Sequence, residues 1–202
     1  MSKVKICGLS RAEDIQAVNR VMPDYIGFVF APSRRQVNAK TAARLKEILD
    51  PKIEAVGVFA NEDINAVREI YQSGIIEQVQ LHGDEDDNYI RRLKDLCGCR
   101  VIKAIGVGDR LPPLPPAADY LLFDTLSAQR GGTGQAFDWH VLYDYCGLPY
   151  FLAGGLTVDN VADSLCLLNP FCVDVSSSVE TCGAKDAEKI ETFVSLVRRH
   201  EK

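Results

Sequence analysis

The sequence predicts a (β/α)8 barrel occupying residues 1–202 as one domain, and three observations carry that reading. Eight short β-branched or aromatic runs recur along the chain, spaced by roughly 20 to 30 residues, as βα units require. Amphipathic segments of helical period lie between them, the alternation that builds a parallel sheet covered by helices. The chain has 202 residues and is 47% hydrophobic, the lower end of length for eight such units but ample for a core without cross-links. A doubly wound open sheet is the alternative that periodicity alone leaves standing.

The runs, in order, are Val4-Lys5-Ile6-Cys7, Tyr25–Phe30, Ala55–Phe59, Gln78–Leu81, Val101–Ile105, Tyr120–Phe123, Tyr150–Ala153 and Cys172–Val175. Ile64, Val67, Ile70 and Tyr71 share a helical face after Asn61, a residue suited to an N-cap. Ile90, Leu93 and Leu96 repeat the pattern after Asp84, and Val158, Val161, Ala162 and Leu165 follow Thr157. Ala187, Ile190, Phe193, Val194 and Val197 form the last face. Leu111-Pro112-Pro113-Leu114-Pro115-Pro116 interrupts the series, because prolines at that density forbid a helix. A shortened or missing fifth helix is therefore expected. A linker between two domains is the competing reading, disfavoured because five strands alone would leave an uncovered sheet edge.

Net charge is −5, which argues against a general nucleic-acid partner. It leaves room for a small anionic ligand, since backbone amides and a local positive pocket suffice to hold one. Seven cysteines at irregular spacing make a poor disulfide framework, and Cys97-Gly98-Cys99 lacks the second pair of a zinc site. Reduced thiols without a zinc site are expected. The opening residues carry no apolar signal core, and no run approaches a membrane span. These features predict a cytoplasmic location without a membrane partner, or an organelle lumen after removal of a transit peptide.

In a barrel the chemistry gathers where strands end, at the C-terminal rim. Cys7-Gly8, Pro32-Ser33-Arg34-Arg35, Asn61, His82-Gly83, Asp124-Thr125, Gly154-Gly155 and Ser176-Ser177-Ser178 occupy those positions. Gly154, Gly155, Ser176 and Ser177 read as a phosphate cradle, because barrels use the loops after strands seven and eight for that purpose and glycine lets backbone approach an anion. Arg130-Gly131-Gly132-Thr133-Gly134 lacks both the Walker and the dinucleotide spacing, and reads as a lid or as a plain loop. A helix is expected to follow near Phe137, with Asp138 at its cap. Taken singly, Cys7 reads equally as a small buried hydrophobe, Asp124 as a turn residue and Arg35 as a solvated cation. Asp174, inside the last strand, is expected to satisfy internal hydrogen bonds.

Lys5-Ile6-Cys7-Gly8, Gly27-Phe28-Val29-Phe30, Val56-Gly57-Val58-Phe59, Val79-Gln80-Leu81-His82-Gly83, Phe123-Asp124-Thr125, Phe137-Asp138-Trp139, Leu152-Ala153-Gly154-Gly155-Leu156 and Asp174-Val175-Ser176-Ser177 run in order through nearly the whole chain. Together with Gly131-Gly132-Thr133-Gly134 and Val179-Glu180, they resemble phosphoribosylanthranilate isomerase of tryptophan biosynthesis. The resemblance implies an Amadori rearrangement of an anionic ribosylamine phosphate by a monomer or homodimer, without metal or cofactor. It implies Cys7 as general base at ribose C2 and Asp124 as general acid at the ring oxygen. Arg35, or its neighbour Arg34, would hold the substrate carboxylate. His82, Gln80 and Gly132 are further pocket candidates. The family pattern after strand eight is Ser-Ser-Gly, whereas this chain has Ser178 as the third residue, which bears on phosphate binding.

The chemistry fits these residue types. Ring opening needs a proton donor at the ring oxygen, and the resulting imine makes C2–H acidic enough for a base. At pH 7 a free thiol costs roughly 2 kcal/mol to ionise and a free aspartate roughly 4 kcal/mol to protonate, so Asp124 needs the larger environmental push. Two alternatives stand beside this reading. A histidine-pathway ribosylamine isomerase would place a carboxylate where this chain has Cys7. A catalytically inactive phosphate-binding barrel would not need Cys7 and Asp124 together. Indole-glycerol-phosphate synthase would need a lysine-rich site, for which only Lys5 and Lys103 offer themselves.

Overall fold

The computed structural model describes residues 2–126 and 136–200. Arg130 and the glycine cluster at 131–134, including the pocket candidate Gly132, lie outside them. Eight parallel strands close into a barrel in sequence order. They are β1 Lys3–Cys7, β2 Tyr25–Val29, β3 Glu54–Phe59, β4 Gln78–Leu81, β5 Arg100–Val107, β6 Tyr120–Thr125, β7 Tyr150–Leu152 and β8 Cys172–Val175. Each sits on the run expected of it, because a strand buried on both faces reads as a short unbroken apolar stretch. The open-sheet alternative is excluded by the pairing of β1 with β8, Lys3 to Cys172 through Ile6 to Val175.

Alternation along the strands divides the core in two. Ile26, Phe28, Ala55, Val79, Val101 and Phe123 point outward to the helices. Tyr25, Val56, Ile102, Leu122, Phe151 and Cys172 pack together inside the ring. Phe151 meets Tyr25, Tyr120 and Phe171 at ring-centroid distances of 5.6, 5.7 and 5.7 Å, plugging the lower end with aromatic bulk. The lumen is thus packed from below, and only its upper end is left for chemistry.

Among the described residues six α-helices surround the strands: α1 Ala12–Val21, α2 Ala39–Glu47, α3 Ile64–Gln72, α4 Asp87–Cys97, α5 Val161–Leu168 and α6 Ala187–His200. No helix lies between β5 and β6, where the prolines fall, as expected. The helix expected near Trp139 is a single 3-10 turn, Trp139–Leu142, although Asp138 does cap it by accepting from the His140 amide. No described helix is long and apolar enough to cross a membrane.

Several local expectations are corrected. Asn61 and Asp84 are not caps; Asp63 and Asp86 are, accepting from the Asn65 and Tyr89 amides. Asn61 instead adopts a left-handed φ of 55° at the end of β3 and accepts from the Asp84 amide at 2.7 Å. Its own amide donates to Glu85, which also receives Gly83 N–H and lies 3.3 Å from the buried Lys103 ammonium. The two residues thus form a corner between loops, a role that cap chemistry and turn chemistry share in sequence. Val158 precedes α5 and is exposed, and Leu96 is exposed on α4. Helices α1 and α2 are not expected from the sequence: α1 buries Asp14, Ile15, Ala17 and Val18, and α2 Ala42 and Leu45, so an acidic residue and alanines stand where large apolar side chains would mark a face.

Candidate active site

Parallel strands in a barrel all finish at one end, so residues far apart in sequence meet there. Cys7 from β1, Asp124 from β6, Arg35 from the loop after β2, Gly154 and Gly155 after β7 and Ser176, Ser177 and Ser178 after β8 line one cavity. Asp174 of β8 lines it too. His82 and Gln80 are not on that wall but stand behind it: Gln80 Nε2 lies 3.3 Å from His82 Nδ1, and His82 Nε2 lies 3.6 Å from Asp124 Oδ2.

Cys7 leans toward β2, where its register partner is Gly27. A Cβ on Gly27 would stand 2.6 Å from the sulfur, so only glycine leaves room for the thiol to face inward. Burial pushes the Cys7 thiol above its ordinary value; Lys5 draws it back, Asp174 opposes Lys5, and Lys185 helps. The next residue, Gly8, has φ +83°, and a Cβ there would lie 2.4 Å from Arg35 Cδ. That glycine lets the arginine stem cross the cavity mouth.

Asp124 is pushed up to about 6, first by burial and then by Asp174, against the opposing Thr125 amide and Lys5. Its Oδ1 accepts from Thr125 N–H at 2.8 Å, which fixes the carboxyl plane. At pH 7 a group of pKa about 6 is protonated roughly one time in ten. The free protein therefore already supplies much of the push that an aspartate needs to act as an acid.

Arg35 donates to Glu180 twice, Nε to Oε1 at 2.6 Å and Nη2 to Oε2 at 3.1 Å. Arg34 reaches the same carboxylate at 2.6 Å but is 57% exposed, against 17% for Arg35. Lys185, buried, adds a third cation at 2.8 Å and donates to the Ser176 carbonyl at 2.7 Å. Burial opposes the Glu180 charge, yet Arg35 and Lys185 prevail and hold it below its ordinary value. Glu180 and Lys185 belong to a two-stranded hairpin, β9 Glu180–Thr181 and β10 Ala184–Lys185, that brings them back to the mouth. Three cations on one carboxylate leave this side of the cavity positive.

In the loop after β7, Gly154 and Gly155 have φ of 77° and 66°, both left-handed. Asn160 Nδ2 donates to the Gly155 carbonyl at 2.9 Å and holds the loop. Among the described residues no group of three or more His, Cys, Asp or Glu is placed to hold a metal ion.

The family model described as N-(5'phosphoribosyl)anthranilate (PRA) isomerase matches residues 4–196 of this chain. The chain belongs to the phosphoribosylanthranilate isomerase family. It is 47% identical over 199 residues to the N-(5'-phosphoribosyl)anthranilate isomerase of Endomicrobium trichonymphae, covering 98% of this chain and 99% of that one. The phosphoribosyl anthranilate isomerase structure from Thermotoga maritima is similar at a TM-score of 0.87 and 33% identity, with 98% of this chain and 100% of that chain covered. A phosphoribosyl anthranilate isomerase in complex with reduced 1-(o-carboxyphenylamino)-1-deoxyribulose 5-phosphate is similar at 0.84 and 31% identity, over 98% and 100% of the two chains.

Ser178, the third serine of the loop after β8, sits in a relaxed backbone conformation. Ser178 lies in a 3-10 turn, Ser177–Val179, and is not among the residues of positive φ. Its hydroxyl donates to the Leu156 carbonyl at 2.6 Å, tying loop eight to loop seven. Ser178→Gly is therefore expected to lose about 1 kcal/mol of stability and to weaken, not improve, phosphate affinity. A urea titration and a phosphate-competition assay check both; tighter binding by the glycine variant would contradict it. Sequence reading missed Glu180 and Lys185 as site residues. Glu180 enters the sequence reading only within the Val179-Glu180 motif, and only the hairpin's fold-back brings it and Lys185 beside Arg35.

Proposed function

We propose that this chain converts N-(5-phosphoribosyl)anthranilate to 1-(2-carboxyphenylamino)-1-deoxyribulose 5-phosphate, with Asp124 as general acid and Cys7 as general base. The observation that carries the reading is the single cavity lined by both, together with the glycine and serine loops and Arg35. A relative of the same fold is described in complex with the reduced form of that product.

The protonated Asp124 carboxyl donates to the furanose ring oxygen as its bond to C1 breaks, leaving an iminium between C1 and the anthranilate nitrogen. The Cys7 thiolate then removes the C2 proton, and the electron pair moves into a C1–C2 enolamine that tautomerises to the ketone. Both steps are proton transfers, which positioned side chains accelerate by about 10²- to 10⁴-fold each. Gly154, Gly155, Ser176 and Ser177 receive the phosphate, where glycine permits close backbone approach. Arg35 receives the substrate carboxylate with the N–H groups that Glu180 leaves over.

Asp124 at about 6 and Cys7 above its ordinary value mean that the productive form, acid protonated and thiol ionised, is a minor state of the free protein. The ascending limb of kcat/KM then reports Asp124 and the descending limb Cys7. The substrate's two anionic groups raise Asp124 further. Titrating the Asp124 carboxyl by NMR with and without a bound product analogue tests this point, and an unchanged value rejects it.

Supplying phosphoribosyl anthranilate and following its consumption tests the activity itself, with Cys7→Ala and Asp124→Ala as controls. Full turnover in either control overturns the assigned roles. For the carboxylate contact, Arg35→Ala is expected to raise KM by roughly 10- to 100-fold, the worth of charge-assisted hydrogen bonds. Arg34→Ala, largely solvated, is expected to change it less than about threefold. Equal effects would remove the distinction between the two arginines.

A further inference from the structure

Beneath the rim lies an ion pair to which the proposed reaction assigns no step. Lys5 is fully buried, and its Nζ stands 2.9 Å from Asp174 Oδ2. Side chains two apart on a strand share a face, so Lys5 lies on the inward face directly below Cys7. The β1–β8 register puts Asp174 opposite Lys5. Of the charges around the Cys7 sulfur, Lys5 favours its ionisation most. Asp174 lines the cavity that holds Asp124, and its Oδ1 is buried without a hydrogen-bond partner among the described residues. A buried ion pair of this kind is weak as a source of stability, since apolar replacement is often neutral or better. Its position between a thiol and a carboxyl suggests a different use.

We propose that the Lys5–Asp174 pair acts as an oriented dipole that sets the ionisation of both reacting groups, its positive end favouring the Cys7 thiolate and its negative end favouring protonated Asp124. This inference rests on the acid and base roles given above and deepens them. Lys5 and Asp174 are positioning residues, since they act through the two side chains that meet the substrate. Each group feels both charges, and a different end prevails at each. At Cys7 the pull of Lys5 exceeds the push of Asp174; at Asp124 the push of Asp174 exceeds the pull of Lys5. One pair therefore serves two opposite demands, which a lone charge of either sign would not. The other charged or titratable groups facing Cys7 are Lys185 from β10, Arg35 from the loop after β2 and Asp124 from β6, with His82 from the end of β4 behind Asp124.

The test reads the thiol directly. Alkylation of Cys7 by iodoacetamide is followed against pH, peptide by peptide by mass spectrometry, in the unaltered protein and in Lys5→Met, Asp174→Asn and the double variant. Lys5→Met is expected to move the Cys7 midpoint up by about one pH unit or more, slowing alkylation roughly tenfold at a fixed pH below it. Asp174→Asn is expected to move the midpoint down, and the double variant to fall between the two. Should Lys5→Met fail to fold around a lone buried carboxylate, the step from Asp174→Asn to the double variant isolates Lys5 and is expected to raise the midpoint. Coincident midpoints, or shifts of the same sign in the two single variants, overturn the proposal. Because alkylation needs no turnover, a protein that leaves phosphoribosyl anthranilate untouched refutes the proposed activity while the alkylation series still decides the dipole. Where turnover is seen, the ascending limb of kcat/KM moves up in Lys5→Met and down in Asp174→Asn, a change a purely structural role would not produce.

Discussion

Asp124→Asn is expected to cut turnover by about 10²- to 10⁴-fold while making the fold more stable at neutral pH. The two effects share one cause. Burial holds the Asp124 carboxyl up at about 6 in the folded chain, whereas an unfolded aspartate titrates near its ordinary ~3.9. Between those values the native state binds the extra proton. The stability it contributes is complete below about 4 and is lost as pH rises through about 6. At pH 8 the ionised, buried carboxylate is a cost of about 1–3 kcal/mol, which an asparagine of the same shape removes. For a chain of this size that corresponds to a melting temperature higher by roughly 2–10 °C. Thermal unfolding at pH 8 and pH 4 measures it: the gain should be present at the first and vanish at the second. An Asp124→Asn protein that melts no higher at pH 8, or that still turns over substrate, would remove Asp124 from the role of tuned acid.

Gly154→Ala is expected to damage both the fold and the acid it supports. Gly154 has φ +77°, a conformation that costs an L side chain about 1–2 kcal/mol. A Cβ there would also stand 2.6 Å from the Thr125 backbone nitrogen and 2.9 Å from Asp124 Oδ1. Backbone does not swing away as a flexible side chain does, so β6 and loop seven must separate. A stability loss of about 2–4 kcal/mol follows from strain and clash together. Displacing the acid by about 1 Å is expected to lower kcat roughly 100-fold in whatever protein remains folded. Denaturant unfolding alongside single-turnover kinetics separates the two. If the alanine variant kept kcat and lost only stability, the contact with Asp124 would be incidental to catalysis.

The strands were legible because a parallel barrel buries both strand faces, and the resulting apolar runs from Val4 to Val175 stand out against the helices. Helices α1 and α2 were not, because the residues they bury include Asp14 and the alanines Ala17 and Ala42, which do not mark an apolar face. The caps at Asp63 and Asp86 were misplaced by two residues, since Asn61 and Asp84 offer the same side-chain chemistry and only the path of the loop decides which one is used. Cys7, Arg35, Asp124, Gly154 and Ser176 were found by asking which residues follow strands, a question that sequence order answers.

By itself the sequence determined the eight-strand alternation, the missing fifth helix and the residues delivered to the rim, because these depend on local periodicity and on proline. Only the tertiary structure decided which of those residues meet. Closure of β1 on β8 brought Lys5 to Asp174, and the fold-back of β9 and β10 brought Glu180 and Lys185 to Arg35. Burial then set the charges, since desolvation depends on everything packed around a group and on nothing adjacent to it in the chain.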